Sequence, residues 1–299
     1  MVEMKGFLLV TPAKDEEAFL PLVIESLLKT DELPVLWLIV DDGSTDDTIN
    51  IIIKASKVHS FIKYISLRKA GERDLAYRYS RVCRLGFKYI INLAERCELD
   101  WDYIALLDAD IILSRKYFRT LIADMERDSN LGIESGDIFS YVNESVKRVN
   151  VFPETPRGGA RIWNKACFTS TDGYIISQSP DSVATAKANI LGWKTKTNHE
   201  VVAYELRQTS SADGIWKGYI NVGKSYYFLD YNPVLVLLNT LAISVRGNPL
   251  LIVPYMSGYL TSLFQQYPKI KDESVRRYFW YTRLVHRMKN LFNGSKIFS

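Results

Sequence analysis

Three clusters of acidic residues are the part of this sequence best suited to chemistry. One of them, Asp108-Ala109-Asp110, is an Asp-x-Asp motif directly after the apolar run 103–107. Paired carboxylates suit Mg²⁺ or Mn²⁺, which bridge to phosphate oxygens and neutralise charge on a departing diphosphate. A solvated turn with a helix-capping Asp would have the same residues. The motif alone therefore leaves both interpretations open.

The other two clusters, 15–17 and 41–42, also follow apolar runs. A carboxylate at such a point can accept a base N–H or hold ribose hydroxyls, and Gly43 permits a tight turn. The alternative is a turn followed by a helix that Ser44 or Thr45 caps. Each cluster taken singly is therefore ambiguous.

The elements around these clusters predict an α/β fold. Strands are predicted at 7–10, 35–40, 61–67 and 103–107, with amphipathic helices between them at 16–29, from the cap at 44 or 45 to about 58, and at 75–97. Strands that are apolar throughout and alternate with helices are typical of a mostly parallel sheet covered on both faces. Because ligands bind at the carboxyl ends of such strands, the acidic clusters are predicted to converge on one edge.

The pattern changes after about residue 130. Strands are predicted at 131–136 and 147–152, a turn at 158–160, and a helix at 181–191 that Gly192 ends. The predicted division is one domain over 1–230, with halves 1–112 and 113–230, followed by a helical region over 231–299.

Composition narrows the class of protein. Charged residues make up 24% and hydrophobic residues 47% of the chain, and the net charge is +4, which argues against disorder. The three cysteines, Cys83, Cys97 and Cys167, are odd in number and lack C-x-x-C spacing, so we expect buried thiols in a reducing compartment. Without an apolar leader after Met1, export is not expected, and a cytoplasmic location is predicted.

Taken in order, the three clusters resemble the motifs of family 2 glycosyltransferases, inverting enzymes of the GT-A fold. The resemblance implies transfer of a sugar from a nucleoside-diphosphate sugar to a glycan or lipid-linked acceptor, with Mn²⁺ or Mg²⁺ as cofactor and no nucleic-acid partner. It extends more loosely to about residues 5–235. The segments that carry it are 11–17, 40–46, 106–110, 159–163, 181–193, 207–209 and 223–233.

The resemblance also implies roles for the donor-binding residues. Pro12 and either Asp15 or Glu16 would line the nucleoside pocket, and Asp41 would read the base. Asp108 would contact the ribose or the sugar.

The diphosphate is expected to lie beside Asp110, which would bind the metal. Phosphate contacts would come from Arg68, Lys69 or Arg73, in a loop that closes over the donor.

Two further positions are less regular. In the family a carboxylate at the start of a helix takes the proton of the acceptor hydroxyl, and Asp181 has that position, although it could instead cap its helix. Many relatives carry a metal-binding His two residues before an Arg, whereas this chain has Glu205 before Arg207. Glu205 is the predicted third ligand, and His199 is a poorer candidate.

Two other functions remain open from the sequence. A nucleotidyltransferase that makes nucleotide sugars could use the same acidic strand ends, but the Gly-rich, basic loop expected after its first strand is missing. A catalytically inactive nucleotide- or glycan-binding module would explain the replacement of His by Glu205.

The stretch from Gly247 to Tyr267 has no charged residue and is long enough to cross a bilayer. Pro249 and Pro254 make it a poor spanning helix. We expect it to lie in the membrane interface, at the cytoplasmic face, with the basic tail against anionic lipid. The alternative is that these helices cover the acceptor cleft of a soluble protein.

Overall fold

The computed structural model describes residues 5–67, 77–142, 145–148, 155–207, 215–246 and 249–285. The chain divides into two compact units, Met1–Gln208 and Thr209–Ser299. This division falls earlier in the chain than the predicted boundary at residue 230.

The described part of the first unit has nine strands and six helices. The strands are β1 (Phe7–Ala13), β2 (Leu36–Asp41), β3 (Ile62–Ser66), β4 (Tyr103–Leu107), β5 (Ile111–Leu113), β6 (Leu131–Val142), β7 (Ser145–Arg148), β8 (Ala160–Asn164) and β9 (Lys194–Glu205). The helices are α1 (Leu20–Leu28), α2 (Thr48–Val58), α3 (Tyr77–Arg96), α4 (Tyr117–Arg127), α5 (Lys165–Ser170) and α6 (Pro180–Ile190).

One sheet joins these strands in the order β3-β2-β1-β4-β8-β6-β9-β5, and β7 pairs with β6. The four strands from β3 to β4 are parallel, as the sequence predicts. Strand β8 lies antiparallel between β4 and β6, and β5 lies antiparallel to β9. The predicted α/β fold is confirmed, but the sheet is mixed and not mostly parallel: in the described residues four strand pairings are parallel and four are antiparallel.

Both faces of the sheet are buried because the central strands are apolar at successive positions. Leu8 and Val10 belong to the core on one face, and Phe7 and Leu9 to the core on the other. Helix α3 packs closely on the first of these faces at Gly86, where an added Cβ would come within 2.7 Å of Val10 Cγ1. A side chain there would push the helix away from the strand ends that carry the acidic clusters.

Three details differ from the sequence-based expectations. Helix α1 begins at Leu20 because residues 14–19 turn the chain, with Asp15 at a φ of +53°. Helix α2 begins at Thr48, and the Asp46 carboxylate accepts from the Thr48 amide (3.0 Å), so neither Ser44 nor Thr45 is its cap. Cys97 is exposed at the end of α3, whereas the other two thiols are buried as predicted.

Strand lengths in the second half were underestimated. Strand β6 continues to Val142 because β9 pairs with it as far as Ser140 and β7 pairs with it from Phe139 to Val142. Of the strand predicted at 147–152, β7 includes 147 and 148, and residues 149–152 lie outside the described part.

The second unit is helical. It contains α7 (Ile215–Phe228), α8 (Pro233–Arg246), a 3₁₀ turn (Pro249–Leu251), α9 (Ile252–Phe264), α10 (Glu273–Arg277) and a π-helical turn (Tyr278–Thr282). Helices α7 and α9 approach closely at Gly223 and Gly258, where an added Cβ would lie 2.0 Å from a carbonyl oxygen of the facing helix. No helix in the described residues is both long and apolar enough to cross a bilayer.

Candidate functional site

The loops that follow β1 and β2 are locked together by their polar side chains. Asp15 Oδ1 accepts hydrogen bonds from the amide (2.8 Å) and the hydroxyl (3.2 Å) of Thr45. In the other direction, the Asp15 amide donates to Ser44 Oγ (3.0 Å) and the Glu16 amide to Thr48 Oγ1 (2.7 Å). The left-handed backbone at Asp15, which Asp tolerates better than most residues, makes this exchange feasible. The two loops therefore form one rigid rim.

Asp41 lies at the centre of this rim and is 2% exposed. Its carboxylate accepts from Ser66 Oγ at the end of β3 (2.6 Å) and from the Ser44 amide (3.0 Å). These two donors fix its orientation at the carboxyl end of β2. Pro12 is on the adjacent strand, paired with Val40.

The neighbouring carboxylate, Asp42, holds the start of α3. Arg78 donates to it through Nε (2.6 Å) and Nη2 (2.8 Å), a two-pronged ion pair. No sequence pattern predicts this pair, because 36 residues separate its members. Arg78 therefore fixes the position at which α3 enters the site.

Tyr79, the next residue of α3, donates from its hydroxyl to Asp108 Oδ1 (2.6 Å). The Asp108 amide in turn donates to the Gly159 carbonyl (2.7 Å), which ties the end of β4 to the loop before β8. Burial raises the pKa of Asp108 well above its usual range, repulsion from Asp110 raises it further, and the Tyr79 hydrogen bond opposes both. Tyr79 was not identified from the sequence.

Asp110 lies where β5 and β9 meet. Its carbonyl accepts from the Leu206 amide (2.8 Å), and the next residue, Ile111, pairs with Glu205. Burial raises the pKa of Asp110, and the charge of Arg207 opposes this shift. Glu205 is close enough to raise the pKa of Asp108 as well.

Arg207 connects this group with the rim. Its Nη2 donates to Glu16 Oε2 (2.6 Å), and its guanidinium lies 5.2 Å from the centroid of the Phe19 ring. The ion pair therefore holds Glu16 at the end of β9, beside Asp110. Because Arg207 already binds its carboxylate, lining a nucleoside pocket would not be the only role of Glu16.

Asp181 is in the first turn of α6, with its side chain 34% exposed. Its Oδ1 accepts from the Tyr174 hydroxyl (3.0 Å) and lies 3.8 Å from Nη1 of the buried Arg161. The N-cap of α6 is Ser179. The carboxylate is thus held by a hydroxyl and a guanidinium, and Asp181 does not have the N-cap position.

Two glycines bring Asp181 and Asp108 to the same loop. An added Cβ on Gly158 would lie 1.9 Å from Asp181 Oδ2, and one on Gly159 would lie 2.7 Å from Asp108 Oδ2. Any side chain at either position would therefore displace a carboxylate. The loop before β8 therefore contacts both acids through two consecutive residues.

Arg157, next to this loop, interacts with the charges of Glu205 and Asp181. Burial lowers the pKa of Arg157, and the carboxylates of Glu205 and Asp181 oppose the shift. Its amide donates to Ser135 Oγ (2.9 Å), which anchors the loop to β6. The geometry therefore brings Asp108, Asp110, Asp181 and Glu205 into one electrostatic group.

The residues fit a metal ion only in part. Within the described residues, no three side chains of His, Cys, Asp or Glu gather as a complete metal site. However, Mg²⁺ usually binds through one or two carboxylates together with phosphate oxygens and water. Asp110 and Glu205 are two carboxylate residues where β5 meets β9.

The predicted basic contacts, Arg68, Lys69 and Arg73, lie outside the described residues. His199, the poorer metal candidate, contacts Asp137 (3.2 Å) and not the acidic group.

Comparison with known proteins relates part of this chain to one protein family. Residues 8–82 match the family model described as Glycosyl transferase family 2. No curated protein matches. The resemblance predicted from the acidic clusters is therefore confirmed over the segment that contains the first two of them.

Solved structures extend the similarity to almost the whole chain. S. aureus TarS 1-349 in complex with UDP-GlcNAc has 14% identity and a TM-score of 0.53, covering 91% of this chain and 78% of that one. Mannosyltransferase PcManGT from Pyrobaculum calidifontis, with GDP-Man and Mn²⁺, has 12% identity and a TM-score of 0.54, covering 99% and 83%. GalNAc-T7 with UDP, GalNAc and Mn²⁺ has 12% identity and a TM-score of 0.57, covering 99% and 59%. This chain spans 44% of the longer TarS chain. At such identities the likeness establishes the fold.

Proposed function

We propose that this chain, a family 2 glycosyltransferase by its N-terminal motifs and GT-A by its fold, is a metal-dependent inverting enzyme. It moves a sugar from a nucleoside-diphosphate sugar to a glycan or lipid-linked acceptor. The observation that carries the proposal is the loop at Gly158-Gly159, where Asp181 and Asp108 approach two consecutive residues of one backbone segment. Two carboxylates so placed suit a reaction that needs a donor contact and a base close together.

The donor nucleotide is proposed to lie on the rim formed by the β1 and β2 loops. Asp41 would read the base, and its carboxylate is held by Ser66 and the Ser44 amide. Pro12, Asp15 and Glu16 would bound the nucleoside pocket, the last two mainly as parts of the rim. The nucleotide sugars in the TarS and PcManGT structures support a ligand of this class.

Asp110 and Glu205 are proposed to hold a divalent cation, Mn²⁺ or Mg²⁺. When bound, the cation would neutralise the charge that develops on the leaving diphosphate. Arg207 would balance the charge of Glu16 beside that site through their ion pair. The Mn²⁺ in the PcManGT and GalNAc-T7 structures supports this choice of ion.

Asp181 is proposed to act as the general base. It would take the proton from the acceptor hydroxyl while that oxygen bonds to the anomeric carbon and the bond from that carbon to the diphosphate breaks. Attack from the face opposite the leaving group inverts the anomeric centre. Tyr174 and Arg161 would position the carboxylate for this step.

The second unit is proposed to contact a membrane surface. Helix α8 exposes Val234, Leu237 and Leu241 at helical spacing, and α9 exposes Val253 and Phe264. This unit also has eleven Lys and Arg against four Asp and Glu, a net charge of +7. Apolar stripes with a cationic balance suit the surface of an anionic bilayer.

Sedimentation with vesicles tests this contact. The protein is expected to pellet with anionic vesicles and not with neutral ones, and Phe264→Ser should reduce pelleting more than Leu22→Ser, an equally drastic change on α1 of the first unit. A protein that stays in the supernatant with both vesicle types would exclude the membrane proposal.

The catalytic proposal is tested with a panel of UDP-, GDP- and dTDP-sugars, with and without Mn²⁺. We expect metal-dependent hydrolysis of one donor, lost in Asp110→Asn and kept in Glu95→Gln, a surface control on α3. Donor binding without turnover, also when a panel of acceptor glycans is added, would instead favour a nucleotide-binding module.

A further inference from the structure

The second unit contains a cleft of about 470 Å³ that is separate from the acidic edge of the sheet. It lies between the end of α7 and the segment formed by α10 and the π-helical turn. Its charged lining has three cations, Lys269, Arg276 and Arg277, and two carboxylates, Asp230 and Glu273. The balance is cationic, in contrast to the site in the first unit.

The carboxylate of Asp230 holds two of these cations, Lys269 and Arg276, in place. Asp230 is 8% exposed and has a φ of +60°, just after the end of α7. Its Oδ1 accepts from Lys269 Nζ (2.5 Å) and its Oδ2 from Arg276 Nε (2.9 Å). Lys269 also lies 5.1 Å from the centroid of the Tyr227 ring. The buried carboxylate thus fixes the direction of both cations, which lowers the entropy lost when they meet a ligand.

The third cation is available for a ligand. Arg277 is exposed, and in the part of the chain that the structure describes no carboxylate forms an ion pair with it. The guanidinium of Arg277 can donate two parallel hydrogen bonds to a phosphate group, and the two fixed cations line the same cleft.

Aromatic side chains form the other wall. Trp280 and Tyr281 line the cleft, and Tyr281 is 61% exposed. Both belong to the π-helical turn, whose Arg283 amide donates to the Tyr278 carbonyl. Such turns are rare and are frequent at functional sites.

The π turn is anchored by the residue between Tyr278 and Trp280. Phe279 is fully buried and stacks on Tyr231 (4.6 Å between centroids), which stacks on Tyr226 (4.1 Å). This column of rings holds the turn, so that the two residues after Phe279 face the cleft without being needed in the core.

We propose that this cleft binds a sugar phosphate, with the phosphate on Arg277 and the fixed cations and the sugar ring on Trp280 or Tyr281. Aromatic faces stack on the C–H face of a sugar, and charge-assisted hydrogen bonds hold the phosphate. The inference deepens the proposed function and rests on it in one respect: the ligand would be a phosphorylated part of the acceptor. Binding itself does not depend on catalysis.

Titration of the full-length protein with glucose 1-phosphate, glucose and inorganic phosphate tests the cleft. Glucose 1-phosphate is expected to bind more tightly than either of the other two. Arg277→Gln and Trp280→Ala should each weaken it by roughly tenfold. The controls, Lys271→Gln and Trp216→Ala, remove an exposed cation and an exposed Trp ring that do not line the cleft and should leave the affinity unchanged.

A second arm separates two sources of the ligand. Vesicles of phosphatidylcholine containing phosphatidylinositol present a phosphate beside a ring on a lipid. Pelleting with them that depends on Arg277 and Trp280 would assign the lipid headgroup, and binding of soluble glucose 1-phosphate alone would assign a soluble or polymeric ligand.

Equal affinities in Arg277→Gln and Lys271→Gln, or no binding in either arm, would overturn the proposal. Asp41→Asn separates this result from a failure of the proposed function. That variant should lose nucleotide-sugar binding and keep glucose 1-phosphate binding.

Discussion

The two units of this chain handle buried charge in opposite ways. The first unit has 27 Lys and Arg against 30 Asp and Glu, a net charge of −3, and it gathers carboxylates at one edge of its sheet. The second has a net charge of +7, and the one buried acid among its described residues, Asp230, is paired with two cations. A buried like-charge group is costly until a ligand compensates it, whereas a paired group is stable without one. The first arrangement suits a metal and a diphosphate, and the second suits an anion.

Replacing a metal-binding carboxylate should have the largest effect. Asp110→Asn removes a proposed cation ligand and also one of the repelling charges around Asp108. We expect donor turnover to fall by about a thousandfold, since a lost metal contact costs several kcal/mol in the transition state. Thermal unfolding should occur at the same or a higher temperature. A large fall in stability would contradict the view that these acids are gathered for a ligand.

Substituting Gly158 and Gly159 one at a time should separate the role of Asp181 in turnover from the role of Asp108 in donor binding. In Gly158→Ala the new Cβ meets Asp181, so turnover should fall by up to about a hundredfold with donor affinity kept. In Gly159→Ala the Cβ meets Asp108, and donor affinity should weaken. Steady-state kinetics and donor titration measure both. Identical profiles for the two variants would contradict the separation.

Replacing Asp230, the paired acid of the second unit, should lower the stability of the protein and leave its turnover unchanged. Asp230→Asn leaves Lys269 and Arg276 without compensation, so the free energy of unfolding should fall by about 1–3 kcal/mol, after allowance for the partial exposure of both cations. Donor hydrolysis should be unchanged at temperatures where the variant is folded. Urea unfolding measures the first quantity. An unchanged stability would show that the ion pairs at Asp230 contribute nothing.

The sequence predicted the elements that are locally determined. Strands β1, β2 and β4 were located because each contains an unbroken apolar run, and their parallel pairing followed from the helices between them. The convergence of 15–17, 41–42 and 108–110 followed from the same rule, because parallel strands end at a common edge.

The contacts that hold the acids could not be predicted, since they join distant parts of the chain. Arg78 and Tyr79 are neighbours on α3, and each holds a carboxylate from a different strand. The antiparallel insertion of β8 between β4 and β6 depends on long-range pairing that leaves no periodic signal. The start of α2 was missed because Asp15 engages both residues that were expected as alternative caps, Ser44 and Thr45.

The most direct test of the account is the kinetic effect of Asp181→Asn on donor hydrolysis in the presence of Mn²⁺. The substitution keeps the shape of the side chain and removes its ability to take a proton. The account predicts that turnover falls by roughly 10²–10⁴-fold while affinity for the nucleotide sugar stays within a few-fold of the wild type. Turnover close to the wild-type value would contradict it, because the base would then have to be another group.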